Sequence, residues 1–304
     1  MTSVNYIIKN GLAVLVAGLF FTQCSSDSQS DDVKNDVQKT QVSESNSGEH
    51  SNIMSFDGQL FSVPSPIQTA SLIKKSGVDF KSDLTNSSDN LNNYTTTFKQ
   101  ALNLGVYGAD FAYISYYGQD QLSLSYMKSI RSLVESLDLS SSIDSKLVDR
   151  IVQNVDNKDS LISVSSAMFR SIDNYLKNNE RTDVAALILT GGFIESLYFS
   201  ANLAKEDLTG KLSKRIGEEK QTVILLMQLL AKSNDPNFES LVSEFTGLVS
   251  AFSAVETTYE YVRPETDPVN KTTKIKSKSS VTISEETLDR ILIETKAIRT
   301  FITE

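Results

Sequence analysis

The sequence predicts an all-α domain, an irregular helical bundle or an atypical solenoid of helical hairpins, with a small β-hairpin near the C-terminus. Three observations carry this expectation. From about residue 94 to 254 the apolar residues recur every three or four positions, the period of one face of a helix. The breaks between these runs fall on residues that start or stop helices. Only 256–283 changes to the two-residue rhythm of a strand.

The elements follow in order. Pro64-Ser65-Pro66 is a helix start, with Ser65 placed to cap and Pro66 suited to the first turn. That helix runs to about Ser76 and stops at Gly77. Ser82 to Asn93, rich in Asn, Ser and Asp, is a loop. From Tyr94 a helix carries Ala101, Leu104, Gly105, Gly108, Phe111, Ala112 and Ser115 at helical spacing and breaks at Tyr117-Gly118. The next buries Leu122, Tyr126, Ile130, Leu133 and Leu137. Further helices fit 141–155, 159–178, 182–206, 210–232, 237–254 and 285–302, about nine in all. Asp138, Ser142, Asn157, Arg181-Thr182-Asp183, Asp235-Pro236 and Ser284 mark the caps and breaks. Acidic residues after Ser284 suit the positive end of the helix dipole. Glu256–Tyr261 and Lys274–Ile283 pair as the hairpin, with Pro264 to Thr273 as a long loop. Lys271, Lys274, Lys276 and Lys278 form the solvated face of a strand. The 34-residue pattern of tetratricopeptide repeats is not met.

Ahead of this domain, 54–304, the chain has two other regions. Met1 to Asn10 is polar with one cation, Lys9, and Gly11 to Phe21 is apolar. That apolar run falls short of the ~20 residues a membrane span needs, and it has the make-up of an export signal. It ends at Cys24, the single cysteine of the chain. Residues 1–24 resemble the signal peptides of bacterial lipoproteins, with Gln23 departing from the small residue usual before the cysteine. The resemblance implies removal of 1–23 and acylation of Cys24, palmitate being the usual kind of chain. Each buried methylene then adds about 0.8 kcal/mol of membrane affinity. Residues 24–53 are Ser, Asp, Asn, Gln, Glu and Lys with almost no apolar content, which predicts a disordered tether. The expected location is the cell envelope, as an outer-membrane lipoprotein facing the periplasm or the surface.

Composition removes several kinds of function. One cysteine excludes an internal disulfide. One histidine, His50, lies in the polar tether, so zinc sites and histidine triads lack their parts. No cofactor or metal is expected. The formal charge is −9, and no basic run is interleaved with aromatics, which argues against nucleic acid. The membrane, through Cys24, is the expected partner, beside an envelope protein or a small ligand.

Three segments place charges or glycines where a plain amphipathic helix would not. In Gly105 to Tyr113 two glycines three apart open one helix face, and Asp110 stands among apolar residues; Tyr113, Tyr116, Tyr117 and Tyr126 follow. A buried ionised acid needs a partner, and tyrosines offer an apolar face with a polar tip. Thr190 to Tyr198 repeats this, with Gly191-Gly192, then Glu195 and Tyr198. Arg215 to Lys220 adds Arg215 and Glu218. If 182–206 and 210–232 pair as antiparallel helices, Glu195, Arg215 and Glu218 form one charged cluster. The candidate ligand-binding residues are therefore Asp110, Tyr113, Tyr117, Glu195, Tyr198, Arg215 and Glu218. The leading expectation is a non-catalytic binding or scaffold module. The alternative is a carboxylate-dependent hydrolase of envelope or external glycans using Asp110 and Glu195, which would need both acids at a sugar-sized cleft. Together with Val63-Pro64-Ser65-Pro66, these segments resemble an uncharacterised family of helical lipoproteins from Bacteroidota over roughly residues 60–302. The resemblance implies lineage and location, and no activity.

Overall fold

The computed structural model describes residues 52–56, 59–142, 146, 150, 158–268 and 270–304. The signal segment, Cys24 and the expected helix 141–155 lie outside the described residues, apart from Ser140–Ser142 as one 3₁₀ turn and the helical residues 146 and 150. So does the tether up to residue 51. Its last two expected residues, 52 and 53, instead begin strand β1 (Asn52–Phe56), which pairs antiparallel with β2 (Gln59–Val63).

Nine α-helices stand among the described residues. They are α1 (Pro66–Ser76), α2 (Thr97–Tyr116), α3 (Asp120–Ser136), α4 (Lys158–Asn178), α5 (Thr182–Leu203), α6 (Lys211–Glu218), α7 (Lys220–Leu230), α8 (Pro236–Ser253) and α9 (Glu285–Thr303). The fold is all-α with a small antiparallel hairpin near the C-terminus, as the periodicity predicts. Its ends follow the expected chemistry. Ser65 accepts from the Gln68 amide while the Gln68 side chain accepts from the Ser65 amide, a reciprocal cap of α1. Gly77 closes α1 at φ 85°. Asp235 and Ser284 cap α8 and α9.

At the centre α2 lies against α5, both buried along almost their whole length. Glycine makes this approach possible. A Cβ on Gly105 would lie 2.0 Å from the Ile188 carbonyl oxygen, and one on Gly191 would lie 1.9 Å from that of Leu102. Neither position has room for alanine, so the two backbones touch directly. Helix α5 is long and apolar enough to cross a membrane by length and composition, yet 78% of that stretch is buried within the fold. A helix apolar on all sides is what the middle of a bundle requires. The other helices sheathe this pair: α1 on both, α3 on α2, α4 on both, and α9 on α5 and α8. The dominant interface joins helices distant in the chain, so the architecture is a bundle and not a solenoid.

Two expectations change. The helix expected at 210–232 is two, α6 and α7, separated at Glu219. The hairpin is longer than expected: β3 (Glu256–Glu260) pairs with β6 (Lys278–Thr282), and β4 (Glu265–Asp267) with β5 (Thr272–Lys274). Part of the expected loop is therefore ladder. Residues 261–264 and 275–277 lie between the two ladders and belong to neither. The root of the hairpin rests on α6, where a Cβ on Gly217 would lie 2.3 Å from Val281 Cγ1.

Candidate functional site

Asp110 on α2 and Glu195 on α5 are brought together by the central helix pair, and both are fully closed to solvent. Arg299 of α9 reaches Glu195. Its Nε donates to Glu195 Oε2 at 2.6 Å and its Nη2 to Glu195 Oε1 at 2.8 Å. Nη2 also donates to the Leu84 carbonyl at 3.0 Å, and the guanidinium carbon lies 4.3 Å from the centre of the Tyr198 ring. This is a bidentate pair stacked on an aromatic face, the geometry for which a guanidinium is suited. Its side chain keeps 17% exposure.

Asp110 has a different environment. Its Oδ1 accepts a long bond, 3.4 Å, from the Asn86 amide, and Oδ2 has no donor facing it. What it meets is the Glu195 carboxyl. Two ionised carboxylates in that position would repel, whereas a proton on Asp110 turns the contact into a hydrogen bond. Burial, and then the Glu195 charge, push Asp110 well above the usual carboxylate range. Burial also pushes Glu195 up, against the opposing pull of Arg299. Burial would lower the guanidinium, but Glu195 more than reverses this and holds Arg299 charged. The arrangement is thus a neutral acid, one carboxylate and one guanidinium, with no net charge. The surrounding polar groups complete it: Asn86 donates to the Tyr94 hydroxyl and to Asn103, and Tyr126 donates to Thr85.

The remaining predicted residues lie elsewhere. Tyr113 is buried, stacked on Phe199 with ring centres 4.7 Å apart, and its hydroxyl accepts from the Lys81 amide. Tyr117 donates to the Val78 carbonyl at 2.6 Å. Both therefore fasten the stretch after α1 to the end of α2. Arg215 meets Glu218 at 3.4 Å and Glu219 at 3.0 Å. The expected cluster of Glu195 with Arg215 and Glu218 is not formed, because Glu195 is taken up by Arg299. Burial lifts Glu219 to about 7 despite Arg215 beside it.

Sequence reading missed Arg299, Asn86 and Glu219. A signal existed for the first. The buried stripe of α9 runs through Leu288, Ile291, Thr295, Ile298 and Ile302, and a cation at 299 sits directly beside it. A buried cation implies a buried acid to meet it.

One hollow has neither of these acids nor Arg299 in its lining. A cavity of about 260 Å³ lies between the start of α1 and helices α2, α4 and α5. Phe111, Phe169, Ile172, Ile188 and Phe193 are among its lining residues, together with Gly105, Gly108 and Gly192. Arg170 and Asp173 stand among its lining residues. A second, polar hollow of about 510 Å³ is lined by Asn86, Asn90, Asn93 and Arg299. It borders the acid centre at Arg299 and at Asn86, whose amide donates to Asp110, and neither Asp110 nor Glu195 lines it. Among the described residues no group of three or more Asp, Glu, His or Cys is set to hold a metal ion. No family model, curated protein or solved structure matches the chain.

Proposed function

We propose that this chain is a non-catalytic binding module of the cell envelope, an outer-membrane lipoprotein held by acylated Cys24, that takes a small ligand in the cavity between α1, α2, α4 and α5. The observation that carries the reading is the contrast between two places. The acids that hydrolysis would need have no exposure, Asp110 holding a proton and Glu195 being paired with Arg299. A substrate would have to displace a bidentate ion pair to reach them, and breaking a buried pair costs about 3–5 kcal/mol. The apolar cavity is already open space, as ligand sites usually are. The location rests on the signal-like residues 1–24 and the polar stretch after them.

Mass spectrometry of the chain extracted from its native membrane tests both parts. The expected species begins at Cys24, carries acyl mass that Cys24→Ala lacks, and retains a non-covalent small molecule under gentle conditions. An unacylated chain with no retained molecule would contradict the reading.

A further inference from the structure

The lining of the cavity between α1, α2, α4 and α5 is mostly apolar, but it includes one guanidinium. Arg170 has no carboxylate or carbonyl partner among the described residues, and its side chain is exposed. Asp173, one turn further along α4, does not neutralise it, because Asp173 is engaged by Lys177 at 2.6 Å. An apolar slot with a spare cation calls for a ligand that is apolar along its length and anionic at one end. We propose that this cavity binds a free single-chain fatty acid, with the tail between Phe111, Phe169, Ile188 and Phe193 and the carboxylate on Arg170. The proposal rests on the binding-module reading above and names its ligand class.

The size of the slot sets the chain length. At about 260 Å³ the cavity lies just below the ~300–1,000 Å³ of ordinary ligand sites, so it suits one short chain, and a chain of about ten carbons is the probe matched to it. A neutral ester of the same length, the form in which acyl chains occur in a lipid anchor, would fill the slot but leave Arg170 without its partner.

Isothermal titration of the whole chain with Cys24→Ala, in detergent-free buffer, tests this with octanoate, decanoate, tetradecanoate and methyl decanoate. Each added methylene contributes about 0.8 kcal/mol, so decanoate is expected to bind roughly tenfold tighter than octanoate. Tetradecanoate is expected to gain no more than a few-fold beyond decanoate, because the slot is full. Methyl decanoate binds about threefold more weakly than decanoate, as a rim ion pair allows, and Arg170→Gln abolishes that preference. Ala185→Phe and Ile67→Trp, which fill the slot from α5 and α1, lose decanoate binding while their circular dichroism and melting stay close to the parent. Two filling variants guard against one that fails to fold. Affinity that keeps rising through tetradecanoate, decanoate binding unchanged in a folded filling variant, equal binding of acid and ester, or no saturable binding would each overturn the proposal. If decanoate fails while another native molecule is retained and lost on filling the slot, the binding module stands and the fatty-acid assignment falls.

Discussion

Asp110 and Glu195 meet carboxyl to carboxyl inside the core, one on each of the two central helices, and only Glu195 is paired with a cation. The pair is stable because one proton stays with Asp110. A buried charge without compensation would cost several kcal/mol, and here the compensation comes from Arg299 across the bundle. The centre therefore locks α2, α5 and α9 together.

Asp110 gives a pH test. Its folded pKa is raised by burial first and by Glu195 second, so the folded chain keeps a proton that the unfolded chain loses near pH 4. The stability from this group is fully present below that pH and is lost as pH rises toward the folded pKa. Asp110→Asn keeps a donor toward Glu195 and cannot ionise. Relative to the parent, this variant is expected to become more stable as pH rises from 4 to 8 in thermal melts. A relative loss over that range would contradict a protonated Asp110.

Arg299→Met leaves Glu195 buried and without its cation. The expected cost is about 3–5 kcal/mol in urea unfolding. Combining it with Glu195→Gln should recover most of that loss, because the charge and its partner are removed together. Additive losses in the double variant would show that the two side chains act independently.

Adjacent glycines on α5 provide an internal control. A Cβ on Gly191 meets the Leu102 carbonyl oxygen at 1.9 Å, whereas one on Gly192 meets its nearest neighbour at 3.3 Å. Gly191→Ala is expected to cost about 3 kcal/mol or to force the helices apart, and Gly192→Ala about 1 kcal/mol or less. Chemical denaturation of both variants checks the order. Equal costs would mean that the central helices do not meet backbone to backbone.

Glu219, held at about 7 chiefly by burial, behaves like Asp110 in sign. Its contribution is present below about pH 4.3, its unfolded value, and declines as pH rises to about 7. At pH 8 Glu219→Gln is expected to gain up to about 3 kcal/mol over the parent, the gain vanishing near pH 4. A gain independent of pH would place the effect in packing and not in charge.

Much of the helical framework was legible because it depends on local chemistry. Ser65-Pro66, Gly77, Asp235-Pro236 and Ser284 act through neighbours within a turn. The hairpin at 52–63 was legible in principle, since Asp57-Gly58 between two apolar runs is a favoured pair for a two-residue turn. The α6–α7 break at Glu219 was not, because neither glycine nor proline stands at that position. The acids Asp110 and Glu195 stood out as charges within apolar runs, but their meeting depends on the α2–α5 crossing. Their partner, Arg299, comes from the other end of the chain. Periodicity identifies what is buried on each helix and does not say which buried residues face one another.

In the proposed reading the ligand sits in the cavity and not at the buried acids. Native mass spectrometry of the membrane-extracted chain tests it most directly in three forms: parent, Asp110→Asn and Ala185→Phe. A small molecule is expected to be retained by the parent and by Asp110→Asn and to be absent from folded Ala185→Phe. Retention by Ala185→Phe with loss from Asp110→Asn would contradict it and return the function to the carboxyl pair.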